Sequence, residues 1–513
     1  MADWDSVSPL HCHRFSHLLQ WAIAFLDFHV GTACCTCLAA ARPVHLLPAA
    51  LNLMNHPAKF IITFLLLTGN MVAASGDEPI RNVLFIISDD LKASVLGCYG
   101  DPYCQTPNID RLASRGMLFE RAYCQGVWCA PSRASLMRSR YVGKEEITWG
   151  EHVQKQGMYS ARVGKIFHMR VPGDIIDGTN GPDVDACWTQ RFNSPGLEAH
   201  TPGDYACLNL NIFTDELEGR QSIRMPHRMF VTVQYDGDGS DQPDHKSATK
   251  AIDLLQKHQD ERFFLAVGLI RPHYPMVAPK QYFDPYPWDA LPLPMSLPNE
   301  TADIPKLGIA KTNNIKNPIG KYPGNQKRMW QGYYASVQFM DDQVGRILDE
   351  LDRLKLTDST AIIFTSDHGY HLAEHGFWQK SNLHEEVTRI PLVISAPSMQ
   401  PGRTSSLVEL VDLFPTACKL TGTPIPASVQ GKSLTPILQD PTATVKDAAL
   451  SLNKGHALRT ADWVYIKYTD GSEELYDMKA DPRQFHNLAS VKSLADQKTQ
   501  LKKALKKRLD AIR

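Results

Sequence analysis

The chain has 513 residues, too many for one ordinary hydrophobic core, which favours a large domain with a smaller companion. Its composition, 43% hydrophobic and 21% charged, is that of a globular protein and excludes the disordered and fibrous classes. With 54 basic and 55 acidic residues the net charge is -1, so no overall field would collect nucleic acid or anionic lipid, and any anion recognition must be local.

The N-terminal region contains the pattern of an export signal. Residues 54–75 begin at a methionine, contain one lysine, continue into an apolar run at 60–67 and end in small residues. This order is typical of a secretory signal peptide, and the apolar run is too short to span a bilayer comfortably. We therefore expect an exported protein, periplasmic or secreted, with no stable membrane anchor. Residues 1–53 are then expected to be an annotation artefact or an unusual leader.

Cysteine usage singles out one thiol. Four of the eleven cysteines lie within residues 1–53, and the seven that remain are an odd number. In an exported protein an odd cysteine suggests a thiol with a function of its own. The sequence alone does not pair the other six, Cys98, Cys104, Cys124, Cys187, Cys207 and Cys418.

Apolar runs rich in β-branched residues predict buried strands. Such continuous runs are typical of strands that are covered on both faces, as in a parallel sheet between two layers of helices. The runs cover residues 82–88, 262–268, 360–366 and 391–395.

Helical patterns lie between these runs. Residues 247–258 and 331–356 place apolar side chains at three- and four-residue steps, which predicts amphipathic helices. Strands that alternate with helices predict an α/β fold with a doubly wound, mostly parallel sheet flanked by helices. The proline-rich stretch 272–305 is predicted to be an irregular loop over that sheet.

The C-terminal part of the sequence has a different pattern of predicted elements. Residues 463–468 and 474–476 are predicted to be short antiparallel strands, and 491–512 a basic amphipathic helix. We therefore expect a main domain over residues 80–445 and a smaller C-terminal α+β subdomain over 446–513.

Acidic residues follow two of the predicted strands. Asp89 and Asp90 come directly after the first strand, and Asp367 follows the strand at 360–366. Ligands of open α/β sheets bind beyond the carboxyl ends of the strands, so these carboxylates are expected to converge there. Mutually repelling carboxylates are stabilised by a divalent cation, and oxygen ligands favour Ca²⁺ or Mg²⁺. The alternative is that Asp89 and Asp90 only cap a following helix.

Cys129 stands at the start of a predicted helix. Pro131 suits the first turn, where backbone N–H groups and the helix dipole lower the pKa of a thiol, and Arg133 adds a positive charge one turn later. The alternative is a small buried cysteine with no chemical role.

The segment CAPSR, residues 129–133, is similar to the signature of the type I sulfatases of the alkaline phosphatase-like superfamily. The resemblance covers residues 82–488 and is closest to the iduronate 2-sulfatase-like branch. The segments that carry it, in chain order, are NVLFIISDDLKASVLGCYGD, TPNIDRLASRGMLFERAYCQ, VGKIFH, FFLAVGLIRPHYP, YYASVQFMDDQVGRIL, FTSDHGYHLAEHGFWQK and ELYDMKADPRQFHNLA.

The resemblance implies a modified nucleophile and a metal. In that family a maturation enzyme oxidises the cysteine, here Cys129, to Cα-formylglycine, whose hydrate attacks sulfur and then expels sulfate. The implied ligands of one Ca²⁺, with Mg²⁺ less favoured, are Asp89, Asp90, Asp367 and His368, with the modified Cys129 completing the shell.

The resemblance also implies a set of cationic and proton-transferring groups. Arg133 and Lys165 would hold the hydrate and the sulfate, and His168 would assist the hydrate. His273 and Lys380 would contact the sulfate ester, with His273 as the general acid to the leaving oxygen. Family members occur in lysosomes, which is the expected compartment if the source is eukaryotic.

The implied function is hydrolysis of sulfate esters of a sulfated carbohydrate by residues 80–445 as the catalytic domain. Two alternatives stay open: a phosphate or phosphonate ester hydrolase on the same scaffold, and a non-catalytic carbohydrate-binding protein that keeps the thiol unmodified. One departure from the family pattern concerns maturation, because Arg138 and Ser139 stand where most members have Thr and Gly.

Overall fold

The computed structural model describes residues 80–512 apart from 142–145, 222–223 and 225. The predicted signal peptide at 54–75 and the segment 1–53 lie outside the described residues. Among the helices that are described, none is both long and apolar enough to cross a membrane. The cysteines from Cys98 to Cys418 are all present as free thiols.

The strands follow the chain from a buried N-terminal strand to a C-terminal antiparallel sheet. They are β1 Asn82–Asp89, β2 Met117–Tyr123, β3 Tyr159–Gly164, β4 Gln190–Phe192, β5 Asp204–Cys207, β6 Ile212–Thr214, β7 Val231–Tyr235, β8 Phe263–Pro272, β9 Met276–Pro279, β10 Thr360–Ser366, β11 His371–Leu372, β12 Trp378–Gln379, β13 Arg389–Ile390, β14 Leu392–Ser395, β15 Gly402–Glu409, β16 Ala448–Leu452, β17 Gly455–Thr460, β18 Trp463–Tyr468 and β19 Glu473–Asp477.

The α-helices lie mostly between strands of the main sheet. They are α1 Pro107–Ser114, α2 Cys129–Arg138, α3 Trp149–Lys155, α4 Gly173–Asp177, α5 Pro243–Lys257, α6 Pro323–Arg353, α7 Glu385–Thr388, α8 Leu413–Leu420, α9 Thr435–Gln439 and α10 Ala495–Ala511.

A nine-stranded sheet forms the centre of the molecule. Its order is β13-β2-β14-β10-β1-β8-β3-β4, with β15 beside β2. β1 pairs in parallel with β10 on one side and with β8 on the other. Only β14 and β13 run against the main direction. The predicted α/β fold with a mostly parallel sheet is confirmed, whereas the strand predicted at 391–395 is antiparallel.

The central strand is apolar on both faces because each face packs against helices. Leu84 and Ile86 of β1 belong to a core that includes residues of α5 and α6. Val83, Phe85 and Ile87 belong to a second core, built with residues of α2, α3 and α8. All eight residues of β1 are buried. This two-sided burial is what the continuous apolar run predicted.

The proline-rich stretch 272–305 is not irregular throughout. Its residues Met276–Pro279 form β9, which pairs in parallel with β7 at the edge of a four-stranded sheet of order β6-β5-β7-β9. An edge strand tolerates proline because only one side donates to a neighbour. The prediction was wrong here since the prolines concealed a short buried strand.

The C-terminal strands and helix lie where the sequence predicted them. β18 and β19 pair antiparallel within a four-stranded sheet of order β16-β17-β18-β19, and α10 begins at Ala495. Leu501 and Leu505 of α10 pack against Leu450 and Leu458 of that sheet. The division between residues 445 and 446 stays a prediction, because the described residues on both sides of it belong to one compact unit.

Candidate active site

Two neighbouring strands deliver the acidic residues to one place. Ser88 of β1 is paired with Ser366 of β10, so the residues that follow them leave the sheet side by side. The backbone N–H of Asp90 donates to Asp367 Oδ1 at 3.2 Å. The predicted convergence of Asp89, Asp90 and Asp367 is therefore observed. The helix-capping alternative is not, because the next helical turn starts after Lys92 without a side-chain cap.

Cys129 lies among these acids at the first residue of α2. Its Sγ is 3.4 Å from His368 Nε2, 3.1 Å from Lys380 Nζ and 4.0 Å from Asp90 Oδ1. The ligand atoms of Asp89, Cys129, Asp367 and His368 all lie within 4.8 Å of one another. Residues from three separate parts of the sequence thus surround one thiol.

The helix start does not activate this thiol. Burial raises the pKa of Cys129 well above its usual value, and the nearby Asp89 carboxylate raises it further. Lys165 and Lys380 act in the opposite direction but are outweighed. The expectation of a lowered thiol pKa is wrong because desolvation exceeds the effect of the helix dipole.

Three buried cations neutralise the three acids. Arg133 Nε donates to Asp367 Oδ2 at 2.8 Å, and Arg133 Nη2 lies 3.3 Å from Asp89 Oδ1. The ammonium of Lys165 pairs with Asp89, and that of Lys380 pairs with Asp90. Cation and carboxylate side chains in these pairs are at most 2% exposed. Buried charges are tolerated only when paired in this way.

Two carboxylate oxygens in this cluster lack a hydrogen-bond donor. Asp89 Oδ1 and Asp90 Oδ2 are buried and accept no hydrogen bond from the described residues. Burial raises the pKa of Asp90 to about 7, against the opposing charge of Lys380. Burial alone would also raise the pKa of Asp89, but Lys165 and His273 hold it well below its usual value. Buried acceptors of this kind call for an additional positive group.

Three histidines border the cluster. His273 Nδ1 is 2.7 Å from the carbonyl oxygen of Tyr274, which leaves Nε2 facing Asp90 Oδ2 at 3.7 Å. Burial lowers the pKa of His368 to about 4, and burial with Lys165 lowers that of His168 to about 4. Both rings are neutral at pH 7, the form in which an imidazole nitrogen can coordinate a metal.

Other residues hold the cluster in place but were not predicted as site residues. Ser132 Oγ donates to the carbonyl oxygen of Asp367 at 2.5 Å. Tyr333 OH donates to the carbonyl oxygen of Asp90 at 2.6 Å and accepts from the Lys92 N–H at 3.0 Å. The sequence could have indicated Ser132, because this residue belongs to the CAPSR segment. Tyr333 lies on the apolar face of a long helix, so its pattern indicates only a core residue.

The departure at residues 138–139 has a structural account. Ser139 ends α2 with φ of 52°, a left-handed conformation that favours glycine. Its buried hydroxyl donates to the carbonyl oxygen of Val411 and accepts from the Gly431 N–H at 3.1 Å. The guanidinium of Arg138 lies over the ring of Phe167 at 5.6 Å. The side chains of Ser139 and Arg138 thus both make contacts within the fold.

We expect Ser139→Gly to lower the free energy of unfolding by up to about 2 kcal/mol. Glycine removes a backbone penalty of about 1 kcal/mol, but the lost hydroxyl leaves a buried donor and a buried acceptor unpaired, at about 1–3 kcal/mol. Urea denaturation measures the difference. Ser139→Ala is the matched control, since it loses the same bonds and keeps the penalty, so it should be the less stable variant. A Ser139→Gly variant more stable than the wild type would contradict the prediction.

Comparison with known proteins decides the family. The sulfatase family model matches residues 81–159 and 191–423, which is more than half of the chain. The chain belongs to the sulfatase family. A second family model, described as the C-terminal part of N-sulphoglucosamine sulphohydrolase, matches residues 373–512 of this sulfatase. The sulfatase resemblance read from the sequence is confirmed.

Individual relatives agree with this assignment. This sulfatase is 30% identical over 449 residues to a sulfatase of Formosa agariphila, covering 81% of the chain and 83% of the relative. It is 33% identical over 412 residues to human iduronate 2-sulfatase, covering 70% and 72%. The phosphonate monoester hydrolase of Silicibacter pomeroyi has the same fold, with a TM-score of 0.69 at 22% identity over 84% of this chain and 96% of that one. The family and the named sulfatase relatives make the protein a sulfuric ester hydrolase.

Proposed function

We propose that this sulfatase cleaves sulfate esters of a sulfated carbohydrate, with Cys129 converted to Cα-formylglycine as its nucleophile. The observation that carries the proposal is the position of Cys129 Sγ, 3.1 Å from Lys380 Nζ and 3.4 Å from His368 Nε2, inside a buried set of paired charges. A raised thiol pKa is no obstacle, because an aldehyde hydrate and not a thiolate is the nucleophile. An enzyme that oxidises Cys129 is the implied partner in maturation.

The cations supply the binding site for the sulfate group. Arg133, Lys165 and Lys380 reach the cluster from α2, from the end of β3 and from the end of β12, so they approach it from three directions. Three fixed positive charges match the three peripheral oxygens of a sulfate ester. They are held by carboxylates before substrate arrives, so little reorganisation is needed when charge spreads in the transition state.

The residues present fit a divalent cation. Asp89 Oδ1 and Asp90 Oδ2 are buried acceptors without a hydrogen-bond donor. Ligand atoms of Asp89, Asp367 and His368 lie together around Cys129, and Asp90 adjoins them in a second group that shares Cys129 and includes His273. We propose that the three aspartates and His368 hold Ca²⁺, with Mg²⁺ as the less favoured ion. When bound, the cation would supply positive charge that favours ionisation of the nucleophile. Oxygen-rich ligation agrees with a hard cation, and His368 is the atypical member of the set.

Two histidines are assigned to proton transfer. His273 Nδ1 is fixed by the Tyr274 carbonyl oxygen at 2.7 Å, so Nε2 is the atom directed to the cluster. We assign Nε2 of His273 to protonation of the leaving alcohol oxygen. Because Nδ1–H donates to the Tyr274 carbonyl oxygen, this step uses the imidazolium form, which the negative charge of a bound sulfate ester would favour, and His273 is left neutral after the transfer. His168 is half-buried and its Nδ1 has no partner among the described residues, so it can assist the hydroxyls of the hydrate.

Removal of divalent metal is expected to lower sulfate release by about a hundredfold, because the nucleophile loses its activation by the cation. Protein would be treated with chelator, dialysed, and assayed with and without added Ca²⁺ or Mg²⁺, with the metal content measured by mass spectrometry. We expect Ca²⁺ to restore more activity than Mg²⁺ and to raise the unfolding temperature. Full activity in metal-free protein would contradict the assignment.

The function is tested with protein that carries the modification. Peptide mass spectrometry across residue 129 first establishes conversion of the thiol to the aldehyde. Sulfate release is then measured with 4-nitrophenyl sulfate and with sulfated glycans. Conversion without any sulfate release would exclude the proposal, and faster turnover of phosphate or phosphonate esters would favour the alternative hydrolase. Complete retention of the thiol in the natural host would favour a carbohydrate-binding protein.

We also propose that the sulfatase is exported. The proposal rests on the signal-like pattern of residues 54–75, and a fusion of this segment to a reporter enzyme would test it. Cleavage of the segment and appearance of the reporter outside the cytoplasm are expected.

A further inference from the structure

The backbone is strained between the proposed metal ligands Asp367 and His368 and the lysine Lys380. Three of its residues other than glycine have positive φ, Ala373 at 82°, His375 at 54° and Gln379 at 71°, and so does Ser381, directly after Lys380, at 108°. Each such conformation costs about 1–3 kcal/mol and persists where the surrounding structure imposes it, often at functional sites. Two of the four flank Lys380 directly.

Gln379 has a second unusual feature, an unpaired buried oxygen. Its Nε2 donates to the hydroxyl of Tyr274 at 3.3 Å, while Oε1 is buried without a partner in the described part of the chain. The side chain is 1% exposed. A buried amide oxygen that accepts nothing costs about 1–3 kcal/mol, so its retention calls for an explanation.

The position of Gln379 connects it with the proposed reaction. It precedes Lys380, whose Nζ is 3.1 Å from Cys129 Sγ. Its partner Tyr274 has its ring 4.1 Å from that of His273. Lys380 Nζ also lies 6.0 Å from the centre of the Tyr274 ring, so the amide of Gln379 and the ammonium of Lys380 both lie near the same buried tyrosine.

We propose that Gln379 is a specificity-determining residue whose Oε1 accepts a hydrogen bond from a hydroxyl on the carbon next to the sulfate ester. The substrate class is then a sugar sulfate with a free neighbouring hydroxyl, and aryl sulfates or deoxy sugars lack the group that pairs with the amide. The inference rests on the proposed sulfatase function. A site built to pair with a hydroxyl discriminates strongly, because the analogue without it leaves a buried polar atom unmatched.

The test compares Gln379→Gly with the wild type. Glycine adopts the positive φ without strain and removes the amide, so the variant should be at least as stable while losing selectivity. Substrates are methyl glycoside monosulfates, their deoxy analogues without the neighbouring hydroxyl, and 4-nitrophenyl sulfate. The wild type should prefer the hydroxylated sugar over its deoxy analogue, and the variant should lower this ratio of kcat/KM by about ten- to a hundredfold.

The control is Ser381→Gly, which relieves φ of 108° on the other side of Lys380 and leaves the amide in place. It should keep the wild-type ratio. A wild type that does not distinguish the two sugars overturns the inference, as does a Gln379→Gly ratio equal to that of the wild type. If modified wild-type protein cleaves no sulfate ester, the proposed function itself fails. Cleavage of 4-nitrophenyl sulfate and methyl glycoside monosulfates without the selectivity change leaves that function standing and removes only the role of Gln379.

Discussion

Cys129→Ser is expected to abolish turnover of sulfate esters while leaving the fold intact. Serine has nearly the same shape as cysteine, and the side chain is only 4% exposed, so packing around α2 is retained. A serine carries one hydroxyl on its β-carbon, whereas the hydrate of formylglycine carries two. One hydroxyl can attack sulfur and expel the alcohol, but no second hydroxyl remains on the same carbon to expel sulfate.

The loss in steady-state kcat is expected to be on the order of 10⁴- to 10⁶-fold, the range found when a nucleophile is removed. The measurement is initial-rate release of 4-nitrophenol together with the intact mass of the protein after incubation. We expect the mass to rise by one SO₃ unit, because the serine oxygen keeps the sulfuryl group and the alcohol leaves with the proton. Sustained turnover by the Cys129→Ser protein would contradict a formylglycine mechanism, and it would point to direct attack by water.

The parts of the site that could be predicted are those that the sheet dictates. β1 and β10 are continuous apolar runs, which are typical of strands buried on both faces in a mostly parallel sheet, and the structure pairs them in parallel. Once the two strands are parallel neighbours, Asp89 and Asp367 must lie at the same edge of the sheet. Their convergence needs no knowledge of side-chain packing, which is why it was accessible from the sequence.

The parts that could not be predicted depend on tertiary contacts and on competing energies. An apolar run does not encode its direction, so the antiparallel course of β14 was missed. The helix start at Cys129 indicated a lowered pKa, but the depth of burial that reverses it appears only in the folded chain. Gln379 is an ordinary residue in the sequence, and only its φ of 71° and its unpaired oxygen distinguish it.

A second buried charge cluster joins the C-terminal helix to the main sheet. Glu409, at the end of β15, is 0% exposed. Its carboxylate accepts from the Arg508 guanidinium at 2.9 Å and from the Leu450 N–H at 2.8 Å, and it also pairs with Lys446. These partners come from α10, from β16 and from the segment before β16. The carboxylate therefore satisfies donors from three elements at once.

Glu409→Ala is expected to lower the free energy of unfolding by about 3–5 kcal/mol, because it leaves Arg508 without its carboxylate partner and the Leu450 N–H without an acceptor, while Lys446 keeps only Asp412. Urea denaturation at neutral pH measures it. The control is Glu120→Ala, which breaks an exposed pair with Arg403 of 3.2 Å and should cost at most about 1 kcal/mol. A loss no larger than that of the control would show that the cluster contributes little.

The pH dependence of stability should change with the same substitution. Burial would raise the pKa of Glu409, but Lys446 and Arg508 outweigh it and hold the pKa below its usual value. A lowered pKa contributes stability that is fully present above the unfolded value of about 4.3 and is lost as the pH falls through the folded value. The wild type should therefore lose stability below about pH 4 more steeply than Glu409→Ala. Parallel acid profiles of the two proteins would contradict the prediction, because they would mean that the pKa of Glu409 is the same in the folded and the unfolded chain and that unfolding takes up no proton there.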